Sequence, residues 1–248
     1  ENMRCGFVAL VGAPNAGKST LLNALVGSKV SIVSPKVQTT RSLVRGIAIK
    51  DRTQIVFVDT PGIFAPKRRL DRAMVTAALT GAADADLAAL LVDAKKGLDD
   101  EARAIVDRLK EMPQPRILIL NKIDLVKRDT LLALTQAVNE LISFERTFMI
   151  SAMKNEGVAH LLTYFAERLP VGPWHYPADE ITDIPLRQMA AEITREKLFL
   201  RLQQELPYQS TVETDSWKEL RDRSVRIEQS IFVELESQRM ILLGEGGE

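Results

Sequence analysis

Between residues 12 and 19 the chain reads Gly12-Ala13-Pro14-Asn15-Ala16-Gly17-Lys18-Ser19. The spacing G-x-x-x-x-G-K-[ST] makes a phosphate loop when a strand precedes it and a helix follows. Glycines let consecutive backbone N–H groups turn inward around an oxyanion, and the helix N-terminus adds partial positive charge. The flanks agree. Residues 6–11 are a short apolar run of strand length, and residues 18–26 set Leu21, Leu22 and Leu25 on one helical face. On this reading the loop from Asn15 through Ala16 and Gly17 to Thr20 cradles a nucleotide's phosphates. Lys18 reaches the β- and γ-phosphates and the Ser19 hydroxyl ligates Mg²⁺. The bland alternative is a glycine turn. At average residue frequencies the pattern arises by chance in about one chain in a hundred of this length, and its placement makes that rarer.

The segments that follow repeat the strand–helix alternation. Residues 54–58, 84–92, 116–120 and 148–151 read as strands, and residues 97–112, 130–142 and 158–169 as helices. That order predicts an α/β fold, a mostly parallel sheet with helices on both faces, binding its ligand at the carboxyl ends of its strands. The chain's 46% apolar and 27% charged residues suit a packed core. No run approaches the ~18 apolar residues of a membrane span. The single cysteine, Cys5, excludes an intrachain disulfide and fits a reducing, cytoplasmic setting. From Leu169 to Pro177 three prolines and a glycine break the pattern, so residues 171–184 read as a semi-rigid linker. Beyond it come a helix over residues 186–206, strands over 209–217 and 225–236, and a helix over 237–243. The second strand sets Val225, Ile227, Ile231, Val233 and Leu235 on one face. Two domains result, 1–170 and 185–248, the second about 60 residues long and marginal in core size. Net charge is zero but uneven: 24 basic against 18 acidic residues in 1–170, and 9 against 15 in 171–248. A strongly basic nucleic-acid binder would not look like this.

Two strand ends carry further chemistry. Asp59-Thr60-Pro61-Gly62 follows the strand 54–58, where a carboxylate suits an Mg²⁺ ligand and Gly62 offers its N–H to a γ-phosphate. Asn121-Lys122-Ile123-Asp124 follows the strand 116–120. The Asp124 carboxylate can accept two parallel bonds from the N1–H and N2–H₂ edge of guanine. Adenine offers no such donor pair, and sites built on a specific hydrogen bond discriminate by roughly 10⁴–10⁵. Asn121 ties this loop to the phosphate loop, and the Lys122 stem lies against the base. Ser151-Ala152 offers a backbone N–H to the guanine O6.

In this order the four pieces are the signature of a translation-factor-like GTPase, and the chain resembles more narrowly the Era family, bacterial GTPases of small-ribosomal-subunit assembly. The likeness rests on the run Pro14 to Asn23, on Gln38-Thr39-Thr40-Arg41, and on Asp59-Thr60-Pro61-Gly62. In the tail it rests on Tyr176-Pro177, Ile181-Thr182-Asp183, Glu192 to Leu198 and Glu205-Leu206-Pro207-Tyr208. It implies a P-loop NTPase G domain followed by a partial α+β type II KH domain, incomplete at its C-terminal end. It also implies that Thr40 closes onto Mg²⁺ when GTP is bound and that residues 29–45 are mobile until the γ-phosphate orders them. Gly244-Glu245-Gly246-Gly247 stands where a KH domain's GxxG loop clamps single-stranded RNA, here the 3′ end of small-subunit ribosomal RNA on the small subunit. Glu245 departs from the lysine frequent there. A monomer and peripheral association with the inner membrane are implied as well.

Ile63 occupies the position of the water-orienting glutamine of many small GTPases, a substitution Era-like proteins share. Intrinsic hydrolysis is then expected to be slow, on the order of 10⁻⁴–10⁻² s⁻¹. Related loops with a Pro-Asn-x-Gly-Lys-Ser run use the asparagine to ligate K⁺, so Asn15 is a candidate K⁺ ligand, with a loop-stabilising turn residue as the equal alternative. Asp84 and Asp86 read as caps on the following strand, His160 and His175 as lone surface histidines, and Trp174 and Tyr176 as linker packing. The Lys67-Arg68-Arg69 run reads as solvated surface, with RNA or lipid headgroups as the alternative. Two other functions stay open at this point. One is a nucleotide-gated module whose acidic tail docks a basic protein; the other is an ATPase, which Asp124 argues against.

Overall fold

The computed structural model describes residues 3–34, 44–60, 84–202 and 206–244. Contacts divide the chain into two units, with the boundary between Asp183 and Ile184. The first unit is a six-stranded sheet of β1 (Arg4–Gly12), β2 (Val44–Lys50), β3 (Thr53–Asp59), β4 (Leu87–Asp93), β5 (Arg116–Asn121) and β6 (Arg146–Met149), in the order β2-β3-β1-β4-β5-β6. All neighbours are parallel except β2 and β3. Helices α1 (Lys18–Val26), α2 (Asp100–Lys110), α3 (Arg128–Leu141) and α4 (Val158–Arg168) cover both faces.

Burial explains the near-continuous apolar runs. Every residue of β3 and β4 is buried, as expected of strands covered on both sides. On one face Ile105, Val106 and Leu109 of α2 and Leu131, Leu134 and Val138 of α3 pack on Leu90, Val92, Leu118 and Leu120. On the other, α1 and α4 meet β2 and β3, and Phe57 stands edge-on to Phe165 at 5.5 Å. β1 lies between β3 and β4, so the strand order reverses at its carboxyl end, where open α/β sheets bind ligands.

Several details differ from the sequence expectation. Strand β2 was not expected, because Gly46 weakens a strand signal in mid-run. The glycine has a packing reason: a Cβ there would stand 2.5 Å from Leu22 Cδ1 and 2.9 Å from Val26 Cγ2 on α1. Arg45, placed by resemblance in a mobile segment, belongs to this strand. At the other end of that segment Val30, Ser31 and Ile32 are buried. β4 starts at Leu87 rather than 84, because Asp86 turns its carboxylate to the Phe7 N–H at 2.7 Å. α2 starts at Asp100 because Asp99 caps it, accepting from the Ala102 N–H at 2.8 Å. β6 ends at Met149; Ser151 only bridges Glu156.

Residues 174–183 are fastened to the first unit. The buried Gln54 carboxamide accepts from the His175 and Tyr176 N–H groups at 2.9 and 3.0 Å and donates to the Tyr176 carbonyl at 2.7 Å. Trp174 Nε1 donates to the Arg52 carbonyl at 3.2 Å, and the His175 ring lies 5.4 Å from Phe7. Further on, the Ile47 N–H donates to the Ile181 carbonyl, the Thr182 hydroxyl to the Arg45 carbonyl, and Arg45 pairs with Asp183 at 2.8 Å.

The second unit holds α5 (Leu186–Arg201), a 3₁₀ turn (Leu206–Gln209), a hairpin of β7 (Ser210–Glu219) and β8 (Val225–Val233), and α6 (Glu236–Leu243). α5 ends at Arg201, short of the expected 206, where Leu202 turns extended. The hairpin has a register shift between Thr214 and Ser216. Phe199 is fully buried, edge-on to Tyr208 at 5.4 Å, and Gln238 accepts from the Glu234 and Leu235 N–H groups to start α6. The expected apolar face of β8 is half exposed: Val225 40%, Ile227 41% and Ile231 41%. No helix among the described residues is long and apolar enough to cross a membrane.

Candidate active site

The loop Gly12–Gly17 joins the carboxyl end of β1 to α1. Gly12 is required by a close approach: a Cβ would stand 2.7 Å from the Leu91 carbonyl of β4. Gly17 has φ 101°, and a Cβ would collide with Asn121 Nδ2. No side chain caps the first turn of α1, whose N-terminal end is the kind of backbone that receives an anion. Thr20 lies in that turn.

Lys18 is buried, and its ammonium donates to the Gly12 and Ala13 carbonyls at 3.1 and 3.0 Å. Burial lowers its pKa to about 8, against which the nearby Asp59 carboxylate works. Asp59 closes β3 and is fully buried, which pushes its carboxyl upward despite Lys18 and two hydroxyl donors. Those donors converge on Oδ2: Ser19 at 2.6 Å and Ser31 at 3.1 Å. Oδ1 is buried without a hydrogen-bond partner. The residues fit Mg²⁺: a hydroxyl and a carboxylate with one unspent oxygen are hard donors, and Mg²⁺ in phosphate sites needs only one or two such protein ligands. Among the described residues no cluster of three or more His, Cys, Asp or Glu stands ready for another metal.

The second loop meets the first. Asn121 Nδ2 donates to the Ala16 carbonyl at 2.9 Å, and its Oδ1 accepts from the Ala152 N–H at 3.0 Å. Lys122 Nζ donates to the Asn15 carbonyl at 2.8 Å. Asp124 sits on the 3₁₀ turn Ile123–Leu125; the Ser151 hydroxyl, and Lys154 at 3.5 Å, hold its carboxyl below the usual range. Asn15, Ala16, Gly17, Lys18, Ser19, Asp59, Asn121, Lys122, Asp124, Ser151 and Ala152 are thus gathered at one end of the sheet. The Ser151 and Ala152 N–H groups already have acceptors, Glu156 O and Asn121 Oδ1, so a guanine O6 would share the Ala152 donor. Thr40, Gly62, Ile63, Lys67, Arg68, Arg69, Glu245, Gly246 and Gly247 lie outside the described residues. Gly244 is described, at φ 68° after α6, far along the chain from this cluster.

Two contributors, Ser31 and Asp93, carried no motif, and a third, Asn23, ended the run Pro14 to Asn23 without a role assigned to it. Ser31 adds the second hydroxyl on Asp59. Asn23 fixes Ser31, accepting from its N–H at 2.9 Å and donating to its carbonyl at 2.8 Å. Asp93 binds Lys122 Nζ at 2.6 Å. Only Asp93 could have been found, as a carboxylate closing an apolar strand just as Asp59 does.

Comparison with known proteins agrees with this geometry. Residues 7–122 match the family of 50S ribosome-binding GTPases. The GTPase Era of Bradyrhizobium sp. strain ORS 278 is 65% identical over 244 residues, covering 98% of this chain and 80% of that protein. Era crystallised with MgGDPNP and nucleotides 1506–1542 of 16S ribosomal RNA superposes with a TM-score of 0.93 at 37% identity, over 99% of this chain and 84% of that one. An Aquifex aeolicus Era variant bound to GDP and tetrafluoroaluminate gives the same score, identity and coverage. With the phosphate loop, the strand-end carboxylate and the loop Asn121 to Asp124 assembled on one sheet rim, the chain belongs to the Era family of GTPases.

Proposed function

We propose that this GTPase uses its nucleotide state to gate binding of the 3′ end of small-subunit ribosomal RNA during small-subunit assembly. The observation that carries the reading is the reach of the likeness to the RNA-bound Era: it extends over 99% of the chain, through the second unit as well as the first. Residues 1–170 are the GTPase domain on this reading, and 185–248 carry the RNA contact through the loop 244–247.

In the GTPase domain, water attacks the γ-phosphorus, the bond to the β–γ bridging oxygen breaks, and GDP and phosphate leave. The Ser19 hydroxyl and the Asp59 carboxylate would hold Mg²⁺, which would supply charge against the phosphates. The chain's own part is positioning and electrostatics. The amides from Asn15 to Thr20 and the Lys18 ammonium face the β- and γ-phosphates. Asp124 selects guanine, Asn121 binds the two loops together, and the Lys122 stem flanks the base. Asn15 is the K⁺ candidate; turnover in KCl above that in NaCl supports it, and equal rates overturn it.

The gating claim is tested by fluorescence anisotropy of a labelled single-stranded fragment of the ribosomal RNA 3′ end, titrated with the full chain bound to GDPNP or GDP. Binding is expected to be tighter with GDPNP, and log K to fall linearly with log salt. No RNA binding in either state overturns the reading in favour of a nucleotide-gated protein-interaction module.

A further inference from the structure

Asp93 ends β4 and belongs to none of the GTPase motifs. Its side chain is only 9% exposed. Oδ1 accepts from the Lys95 and Lys96 N–H groups at 2.9 and 3.3 Å, closing the turn after the strand. Oδ2 accepts from Lys122 Nζ at 2.6 Å, and the same ammonium donates to the Asn15 carbonyl at 2.8 Å. One carboxylate thus connects the end of β4, the guanine loop and the phosphate loop. The register supports the contact: Asp93 pairs with Asn121 across β4 and β5, and the Ala94 N–H donates to the Asn121 carbonyl at 2.9 Å. Asn15 and Lys122 both have left-handed backbones, φ 63° and 66°. Residues with side chains hold that conformation where surrounding contacts enforce it. The shared ammonium joins them.

We propose that Asp93 is a positioning residue for the bound nucleotide. Its carboxylate anchors the Lys122 ammonium, which keeps the lysine stem against the base and the phosphate loop closed at Asn15, and so slows nucleotide release. This rests on the reading of the site as a guanine-nucleotide pocket. The charge matters as well as the bond. Charge-assisted hydrogen bonds are roughly twice as strong as neutral ones, and a lysine stem without an anchor regains its rotamers.

The test is release of GDP carrying an N-methylanthraniloyl fluorophore, chased with unlabelled GDP, from the full chain. Asp93→Asn keeps an oxygen for the turn's two N–H groups but sets an amide NH₂ against the lysine donor. Its release is expected to be about tenfold faster than wild type with the melting temperature retained. Lys122→Met should release about as fast, and the double variant no faster than Lys122→Met alone. Asp93→Glu, which keeps the charge, should lie nearer wild type than Asp93→Asn. Wild-type release from Asp93→Asn, or effects that multiply in the double variant, overturns the proposal. Should Asp93→Asn not fold, Asp93→Ser, which keeps a hydroxyl oxygen for the turn and removes the charge, decides alone and in the Lys122→Met background by the same non-additivity. Wild-type protein that does not retain the labelled GDP overturns the reading of the pocket itself, and the role of Asp93 with it.

Discussion

In the first unit β3 and β4 are buried from end to end, whereas in the second β8 leaves Val225, Ile227 and Ile231 about two-fifths exposed. The interiors differ in kind too. The sheet of the first unit is packed with Val, Leu, Ile and Phe on both faces. In the second, Arg195, Glu196, Ser210 and Gln238 are buried beside Ala191 and Phe199. A site that must hold phosphate-loop amides and the Asp124 carboxylate in fixed relation needs a stiff platform, and the first unit supplies it. The second rests on few apolar anchors, so its order depends on each of them.

The widest gap between the units should appear in their cores. Phe57→Ala removes a ring packed on Phe165 and is expected to cost roughly 3–5 kcal/mol in denaturant unfolding. Phe199→Ala should strip hydrogen-exchange protection from β7 and β8 while GDP release stays at the wild-type rate. The two tryptophans allow a separate reading: Trp174 lies in the first unit and Trp217 on β7 of the second, so single-tryptophan variants follow each melt. A change in GDP release with Phe199→Ala would break the contrast.

Next in size is Gly17→Ala. Its positive φ and the collision with Asn121 Nδ2 predict loss of GTP affinity by more than about a hundredfold, read by calorimetry. The rest of the first unit should keep its melting temperature within a few degrees if its core, and not its loop, sets stability.

A pH series sharpens the same point. Lys18 is deprotonated above about pH 8 in the free protein, and phosphates would restore its charge. Nucleotide affinity should therefore be flat below pH 8 and fall above it by up to about tenfold per unit. Stability of the free protein runs the other way. The unfolded lysine keeps its proton up to its ordinary value of 10.5, so stability from this group rises between pH 8 and 10.5. Affinity that does not change from pH 7 to 10 would show that burial does not govern this lysine.

The smallest effect belongs to the surface. Glu145 accepts from Arg168 at 2.8 Å with both side chains about 40% exposed, so Glu145→Gln should shift stability by no more than about 1 kcal/mol, an effect that fades in high salt.

The places of the nucleotide motifs in the fold were legible because each is a local run at the end of a strand. Gly12 to Ser19 needs only a strand before and a helix after, and Asn121 to Asp124 sits on one turn. β2 was not legible, because Gly46 serves a helix residue 24 positions earlier, Leu22, and a glycine read locally weakens a strand. Ser31 was hidden for a similar reason, and so was the part Asn23 plays in holding it, although Asn23 itself ends a run that was read. A serine that reaches across to Asp59 leaves no periodicity, and its value exists only once β3 is beside α1. The segment 171–184 read as a linker from its prolines. That composition holds no trace of Gln54, the distant buried amide that grips residues 175 and 176.

That grip has an outcome for how the protein behaves in crowded solution. β2 is the outermost strand on its side, and a strand there would present a row of unpaired donors and acceptors to another copy of the chain. With Ile181 taking the Ile47 N–H and Thr182 bridging Gly46, this row is already spoken for at its centre. The opposite margin, β6, is only four residues long. Among the described strands of this six-stranded sheet neither rim offers a long template for intermolecular strand addition, and on the β2 side that cover comes from the same peptide that leads out of the nucleotide-binding unit.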